Sequence, residues 1–395
     1  MNLFKKTETI CIWLIMLLFS LGQIGRLSYL SQRINGYFFE IPLIVLTLGY
    51  TVYYRRELKK AVRIHMPTVV FGLFSCVTLL VTLYRFSPIQ NFVAALYLFR
   101  LLYLLWFYVV FQIAASKRPS LAKVINRSVI TVIVITVFTS FIQYFFYQDL
   151  RNLYYEGWDP HLYRMFGLFF DPVFSGALYG LMALYLFFNH LYKRTLRWHY
   201  LVIFLLLTAC MLFTYSRGTY LASLVVAVIF LVKTRKPLII VPLIAVLAIS
   251  LILLPKKFGE GVHLMRTSTI YARFIDSDEG IAVGMQNPLF GVGYNHIRAV
   301  KKFADEVSAN GYSYSHAGAS FHSSYVTILA SEGIIGLILF AWMLLSWSRR
   351  SEYANYAITF IGILSLTDNV FLYPFVLVFL IITICYNSRD TGTYL

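Results

Sequence analysis

Apolar runs close to membrane-crossing length recur along the whole chain, and a chain built this way can fold into little except a helical bundle in lipid. In the first half they cover residues 10–25, 37–54, 66–84, 92–115, 129–147 and 173–191. In the second half they cover residues 200–215, 220–232, 237–254, 325–347, 356–367 and 372–386. An α-helix needs roughly 20 residues to cross the hydrocarbon core, where it satisfies its own backbone hydrogen bonds. The expected fold is an all-α integral membrane protein with about 10–12 transmembrane helices. The last two runs are short enough to be tilted half-helices or a re-entrant hairpin, which sets the lower figure.

Composition agrees, with 59% of residues apolar and only 13% charged. Mean hydropathy is +0.71, far above that of a soluble domain. No repeat, low-complexity stretch or Gly/Ser linker divides the chain, so residues 1–395 read as a single polytopic membrane domain. The first apolar run follows Met1 to Lys6 and lacks a small-residue cleavage site, so it reads as a retained span and not a signal peptide.

The formal net charge is +17, and its distribution is informative. Lys5-Lys6, Arg55-Arg56 with Lys59-Lys60, Lys117-Arg118, Lys193-Arg194, residues 233–236 and Arg349-Arg350 all fall on one side of a twelve-span arrangement. Basic residues in short loops stay on the cytoplasmic side, which places both termini in the cytoplasm. Topology signalling accounts for most of the charge, and no nucleic-acid partner is expected. Cys11, Cys76, Cys210 and Cys385 are scattered through apolar runs, as packing thiols are, with neither disulfide nor zinc spacing.

Two outer segments break the pattern of short connections: residues 148–172 and the extracytoplasmic loop 255–323. Function is expected in such loops. The longer one is punctuated by Asn287-Pro288 and Gly291-Val292-Gly293, which read as turns between short helices of a cap against the membrane. A phosphate-binding G-x-x-x-x-G-K-[ST] loop is missing, and His296 stands where a dinucleotide fingerprint needs its third glycine. Asp276-Ser277-Asp278-Glu279 carries the D-x-D spacing of metal-dependent glycosyltransferases, but the topology puts it outside the cytoplasm, away from sugar nucleotides.

What remains is a set of external basic groups suited to clamping an anionic head group: Arg164, Arg217, Arg266 and Arg273. Arg217 interrupts the boundary between two apolar runs, where an unpartnered charge costs up to about 3 kcal/mol. A bland alternative is snorkelling to lipid phosphates, and Gly218 next to it would let the chain turn. Arg100 lies midway along the fourth run, with Glu40 or Asp368 as candidate partners. His322 stands at the mouth of a membrane helix just after the long loop, as a base or as an interfacial amphipathic residue.

Three separated segments combine these groups. Thr214-Tyr215-Ser216-Arg217-Gly218-Thr219-Tyr220-Leu221-Ala222 sets S-R-G before an apolar run. Arg273 and an amphipathic stretch then lead to Asn287-Pro288-Leu289-Phe290-Gly291-Val292-Gly293-Tyr294. Finally His322 and Tyr325 precede Ala330-Ser331-Glu332-Gly333-Ile334-Ile335-Gly336. In order and placement the three resemble the O-antigen ligase and polymerase superfamily of bacterial surface-polysaccharide enzymes. Arg164-Met165-Phe166-Gly167-Leu168-Phe169-Phe170-Asp171-Pro172 extends the similarity over residues 150–345. One departure is Ser323, where the family has asparagine after the histidine; a hydroxyl offers one donor fewer.

The resemblance implies a metal-independent glycosyltransferase without cofactor in the bacterial cytoplasmic (inner) membrane, its site facing outside or the periplasm. The donor would be an undecaprenyl-pyrophosphate-linked glycan and the acceptor a hydroxyl of a glycan, lipid or other surface molecule. The bilayer, a flippase and chain-length regulator proteins would be its partners. Arg217 and Arg273 would hold the pyrophosphate, with Arg164 and Arg266 as further contacts. His322 would be the general base, since an imidazole with an ordinary pKa of about 6.5 accepts a proton at ambient pH. With no evident carboxylate nucleophile the transfer is expected to invert the anomeric centre, and a polymerase is favoured over a ligase. A polytopic transporter or lipid flippase would show similar spans, but its paired broken helices are missing. A scaffold would not need the arginine and histidine set.

Overall fold

The computed structural model describes residues 2–29, 33–151, 153, 161–192, 197–235, 254, 262–264, 267–301 and 316–388. They form helices α1 Asn2–Ser20, α2 Glu40–Tyr53, α3 Leu58–Ile64, α4 Met66–Thr82, α5 Pro88–Lys117, α6 Pro119–Phe146, α7 Pro172–Leu186, α8 Trp198–Phe213 and α9 Arg217–Lys233. After these come α10 Ser268–Gln286, α11 Ile297–Val300, α12 Ser324–Ser348, α13 Glu352–Leu364 and α14 Pro374–Ser388. Among the described residues five helical stretches are long and apolar enough to cross a membrane: Met66–Arg85, Pro88–Lys117, Pro119–Phe146, Pro172–Leu191 and Ser324–Ser348. Glu40–Tyr53, Trp198–Phe213 and Pro374–Ser388 are shorter apolar helices. The protein is thus an all-α, multi-pass membrane protein. The run at residues 237–254 lies outside the described residues except for Leu254.

Helix starts follow local chemistry. Asp171 Oδ1 accepts from the amides of Val173 and Phe174 at 2.6 and 3.0 Å. Ser351 Oγ accepts from Ala354 N at 3.0 Å, and Ser216 and Ser323 cap α9 and α12 in the same way. These caps satisfy amide groups that a helix leaves unpaired at its first turn.

Contacts between connections define two ends of the bundle. At one, Arg118 pairs with Glu8 and Lys117 with Glu57. Arg350 Nη2 donates to Ile64 O at 2.9 Å, and Trp347 Nε1 to Thr68 Oγ1 at 2.9 Å. This basic end holds Lys5, Lys6, Arg55, Arg56, Lys59, Lys60, Arg349 and Arg350. At the opposite end Gln23 Nε2 donates to Tyr373 OH at 2.6 Å, Arg164 Nε to Thr214 O at 2.8 Å, and Arg85 Nη1 to Asn287 Oδ1 at 2.7 Å.

The last two helices settle differently from a re-entrant hairpin. Arg350, just before α13, is tied to the basic end, whereas Asp368, just after it, contacts Arg273 at the other. Hence α13 runs from end to end, and Tyr353 OH, donating to Thr383 Oγ1 at 2.9 Å, brings α14 back beside its start. Every residue of α14 except Asn387 is buried, as expected of a helix apolar on all sides. Phe375 at its start is ringed by Phe19, Tyr37, Phe39 and Phe169 at 4.8–5.3 Å between centroids. The 13 residues of α13 give about 20 Å of rise, against about 45 Å for the 30 residues of α5. The end carrying Asp368 stands level with the start of α12, where Ser324 N donates to Ser365 O at 3.0 Å.

A two-stranded hairpin at this end was not foreseen. Strands β1 Arg26–Tyr29 and β2 Ile34–Tyr37 pair antiparallel, with Arg26 opposite Tyr37. Arg100 joins Glu40 beneath it, not Asp368: Nε to Oε1 is 2.7 Å and Nη2 to Oε2 is 3.0 Å. Tyr103 OH and Tyr37 N complete the carboxylate's partners. The intramembrane charge is thus a satisfied structural pair.

Candidate active site

The site is built around a break in α12. Gly333 has φ 70° and ψ −169°, a combination essentially reserved for glycine, so backbone groups on either side of it lose their helical partners. Residues 287–293 replace them. Val292 N donates to Ala330 O and Gly293 N to Ser331 O, both at 2.9 Å, while Ile334 N donates to Pro288 O at 2.7 Å. The turn fits because Gly291 lies against the Ser331 and Glu332 backbone with φ +64°. Its two motifs, distant in sequence, therefore form one joint, and the joint fixes α10 alongside the start of α12.

Helix α10 presents Arg273 and Asp276, one turn apart, on the side packed against the bundle. Asp276 Oδ2 accepts from His322 N at 2.6 Å and stands 2.8 Å from His322 Nδ1. Its other oxygen takes Lys301 Nζ, which also donates to Ser320 O at 3.0 Å and lies over the Phe321 ring. Burial alone would raise the Asp276 carboxyl, but hydrogen bonds from His322 and Lys301 outweigh it and hold the group down at about 2. An ionised acceptor at Nδ1 fixes the imidazole so that Nε2 faces outward. The His322 side chain is 46% exposed against 9% for Asp276, so the ring is presented to a ligand while its partner is sheltered.

Arg273 reaches in the other direction, with Nη2 2.6 Å from Asp368 Oδ1. Asp368 sits in the turn between α13 and α14. That turn is held to α12, where Ser323 Oγ donates to Ser365 O at 2.9 Å and Ser324 Oγ accepts from Phe371 N at 3.3 Å. Burial pushes Asp368 up to about 6, with Arg273 and Thr367 opposing it. Arg217 opens α9 within electrostatic reach of Arg273 and Asp368, and its Nη1 donates to Leu264 O at 3.2 Å. Asp171 caps α7 nearby; burial raises its carboxyl, against its own cap bonds and the charges of Arg164 and Arg273. The amino ends of α7, α9 and α12 thus converge here and add partial positive charge to that of the guanidinium groups.

Of the residues expected from sequence, Arg217, Arg273 and His322 are brought together. Arg164 is close but buried, its Nε bound to Thr214 O, so it braces the turn before α9. Arg266 lies outside the described residues. Gly218 does not make the turn: Tyr215 does, at φ +52°. Gly218 is instead a point of close approach, where a Cβ would lie 2.9 Å from both Leu364 Cδ1 and Thr367 Oγ1. Ser323, in place of asparagine, is the N-cap of α12. Asp276, Lys301 and Asp368 were missed as members of the site. The spacing of Arg273 and Asp276 at i, i+3 was the available signal.

Residues 201–341 match the family profile described as O-Antigen ligase. The matched stretch includes Arg217, Arg273, Asp276, Lys301, His322 and Glu332, and leaves out Arg164 and Asp368. The match supports the O-antigen ligase and polymerase superfamily and, at a coarse level, a glycosyl-transfer type of membrane enzyme. No curated protein matches the chain.

Proposed function

From a place in the O-antigen ligase and polymerase superfamily, we propose that the protein transfers a glycan from a polyprenyl-pyrophosphate carrier to an acceptor hydroxyl at the outer face of the bacterial cytoplasmic membrane. The observation that carries this is the pairing of a half-exposed, carboxylate-oriented imidazole with two guanidinium groups at one end of the bundle. In this scheme the acceptor hydroxyl gives its proton to His322 Nε2 as its oxygen attacks the anomeric carbon. The bond from that carbon to the phosphate oxygen breaks, and the departing pyrophosphate takes the electron pair. Arg217 and Arg273 stabilise that charge, being planar donors able to bind phosphate oxygens bidentately. Undecaprenyl pyrophosphate is the carrier expected for such a donor.

Direct displacement with inversion is favoured because the nearby carboxylates are engaged. Asp276 is held by His322 and Lys301, and Asp368 by Arg273 and Thr367. The excess of lysine and arginine at the opposite end supports an outward-facing site with cytoplasmic termini. A polymerase extending carrier-linked repeats is the preferred member of the class, and a ligase the alternative.

The test is transfer by the purified protein in lipid vesicles from a polyprenyl-pyrophosphate oligosaccharide, followed by glycan length and anomeric configuration. A ladder from donor alone identifies a polymerase, and a single shift that needs a separate acceptor identifies a ligase. Unimpaired transfer by a folded His322→Ala protein would overturn the scheme.

A further inference from the structure

Between α10 and α12 the chain dips below the end of the bundle. Phe290 stacks on Phe74 with ring centroids 5.9 Å apart. Phe74 lies eight residues before the end of α4 at Thr82, which is about 12 Å of helical rise. The half-thickness of a hydrocarbon core is only about 15 Å. Leu289 presses on Gly333, well inside α12.

The outer face of this segment is apolar apart from Gln286, beside which Asn287 accepts from Arg85 Nη1 at 2.7 Å. Ile281, Met285 and Leu289, spaced at i, i+4 and i+8, are 45%, 58% and 56% exposed. The face continues into the exposed rows of the two flanking membrane helices: Leu73, Val77 and Leu80 on α4, and Ile334, Ile338 and Trp342 on α12. Higher on α10, Tyr271 and Phe274 are exposed beside Asp278, a mixture suited to the head-group zone. We propose that residues 281–290 are seated among the lipid acyl chains of the leaflet at the site end, with Tyr271 and Phe274 at its interface. The segment is thus a lipid-docked wedge and not a cap in water. Because Arg273 and Asp276 stand on the opposite face of α10, the bilayer then helps to hold the site together. None of this depends on the reaction proposed above.

The test places nitroxide labels at Phe274→Cys, Met285→Cys and Leu289→Cys in a background with Cys11, Cys76, Cys210 and Cys385 replaced. The proteins are reconstituted in phosphatidylethanolamine and phosphatidylglycerol vesicles. Collisions with dissolved oxygen and with a water-soluble nickel chelate are compared against Ile338→Cys in lipid and Lys59→Cys in water. Oxygen should dominate at Met285 and Leu289 as it does at Ile338, with Phe274 intermediate. Nickel-dominated collisions at Met285 and Leu289 would overturn the proposal in favour of an aqueous cap. Inaccessibility to both reagents would overturn it in favour of cover by another part of the chain. Labels that become inaccessible only on adding polyprenyl pyrophosphate would reassign the face to the carrier.

Discussion

Arg273 Nη2 stands 2.6 Å from Asp368 Oδ1, so a guanidinium assigned to substrate phosphate already has an anionic partner of its own. An incoming pyrophosphate has to compete with that carboxylate, and the strength of the competitor depends on pH. Burial lifts Asp368 to about 6. Above that value it is ionised and holds Arg273; below it the acid is neutral and releases it. Donor KM is expected to rise with pH through about 6, by up to about tenfold per unit for one linked proton. A pyrophosphate diester has no proton of its own to lose there. Asp368→Asn should flatten this dependence, and an unchanged slope would remove Asp368 from the competition. For stability the sign is the same: a raised carboxyl contributes most below its unfolded value, and the contribution is lost as pH rises through about 6.

Asp276 behaves oppositely. Its carboxyl, held at about 2, stays ionised at every working pH, and the stability it contributes is lost only as pH falls through that value. It can therefore orient His322 without titrating. Asp276→Asn should lower kcat by roughly 10²-fold or more with donor KM little changed, since orientation of a base acts on the chemical step. Equal changes in kcat and KM, measured in vesicles, would mean that Asp276 acts on binding instead.

Lys301 tests the same cluster from its other side. It is buried and paired with Asp276, and also bonded to Ser320 O. Lys301→Met strips a buried carboxylate of one partner and should cost roughly 3 kcal/mol. A lowered thermal midpoint in detergent should accompany any loss of activity. An unchanged midpoint would show that the pair contributes little to the fold.

The two arginines of the outer turns should separate by what they lose. Arg164 is 5% exposed and bonded through Nε to Thr214 O, so Arg164→Ala should cost the roughly 1–3 kcal/mol of an unsatisfied buried group and lower the midpoint. Arg217 is half-buried at the start of α9. Arg217→Lys should keep the fold while losing the bidentate fork, and so should raise donor KM at an unaltered midpoint. The reverse pattern would exchange their roles.

Hydropathy made the bundle legible, because a lipid core leaves an open segment no alternative to a helix. Basic clusters likewise gather at one end of the bundle. The hairpin at Arg26–Tyr37 escaped because its strands are only four residues each and carry no strong alternation. Within the site, Arg217, Arg273 and His322 could be picked out as charged or titratable groups beside apolar runs. For Asp276 the i, i+3 spacing from Arg273 was the one signal, and Asp368 had none, since their partners His322 and Arg273 lie 46 and 95 residues away. Gly218 was misread because a glycine needed for close packing and one needed for a turn look the same in a sequence.

The break in α12 gives the sharpest separation of fold from chemistry. Gly333 combines φ 70° with ψ −169°, which a side chain tolerates only at roughly 1–3 kcal/mol. A Cβ there would also lie 2.5 Å from the Leu289 carbonyl carbon and 2.6 Å from Pro288 O. Gly333→Ala should therefore push the 287–293 turn out of the break and release α10, with Arg273 and Asp276 on it. The expected result is loss of transfer together with a lowered thermal midpoint, although residue 333 makes no contact with Arg217, Arg273 or His322 in the scheme above. Its neighbour Glu332 supplies the control. Ser75 Oγ donates to Glu332 Oε1 at 2.9 Å, and an amide of the same shape keeps that acceptor. Glu332→Gln should retain both fold and activity, whereas Glu332→Ala leaves a buried hydroxyl and a void. If Gly333→Ala were as active and as stable as the parent, the joint between the two motifs would not be what holds the site together.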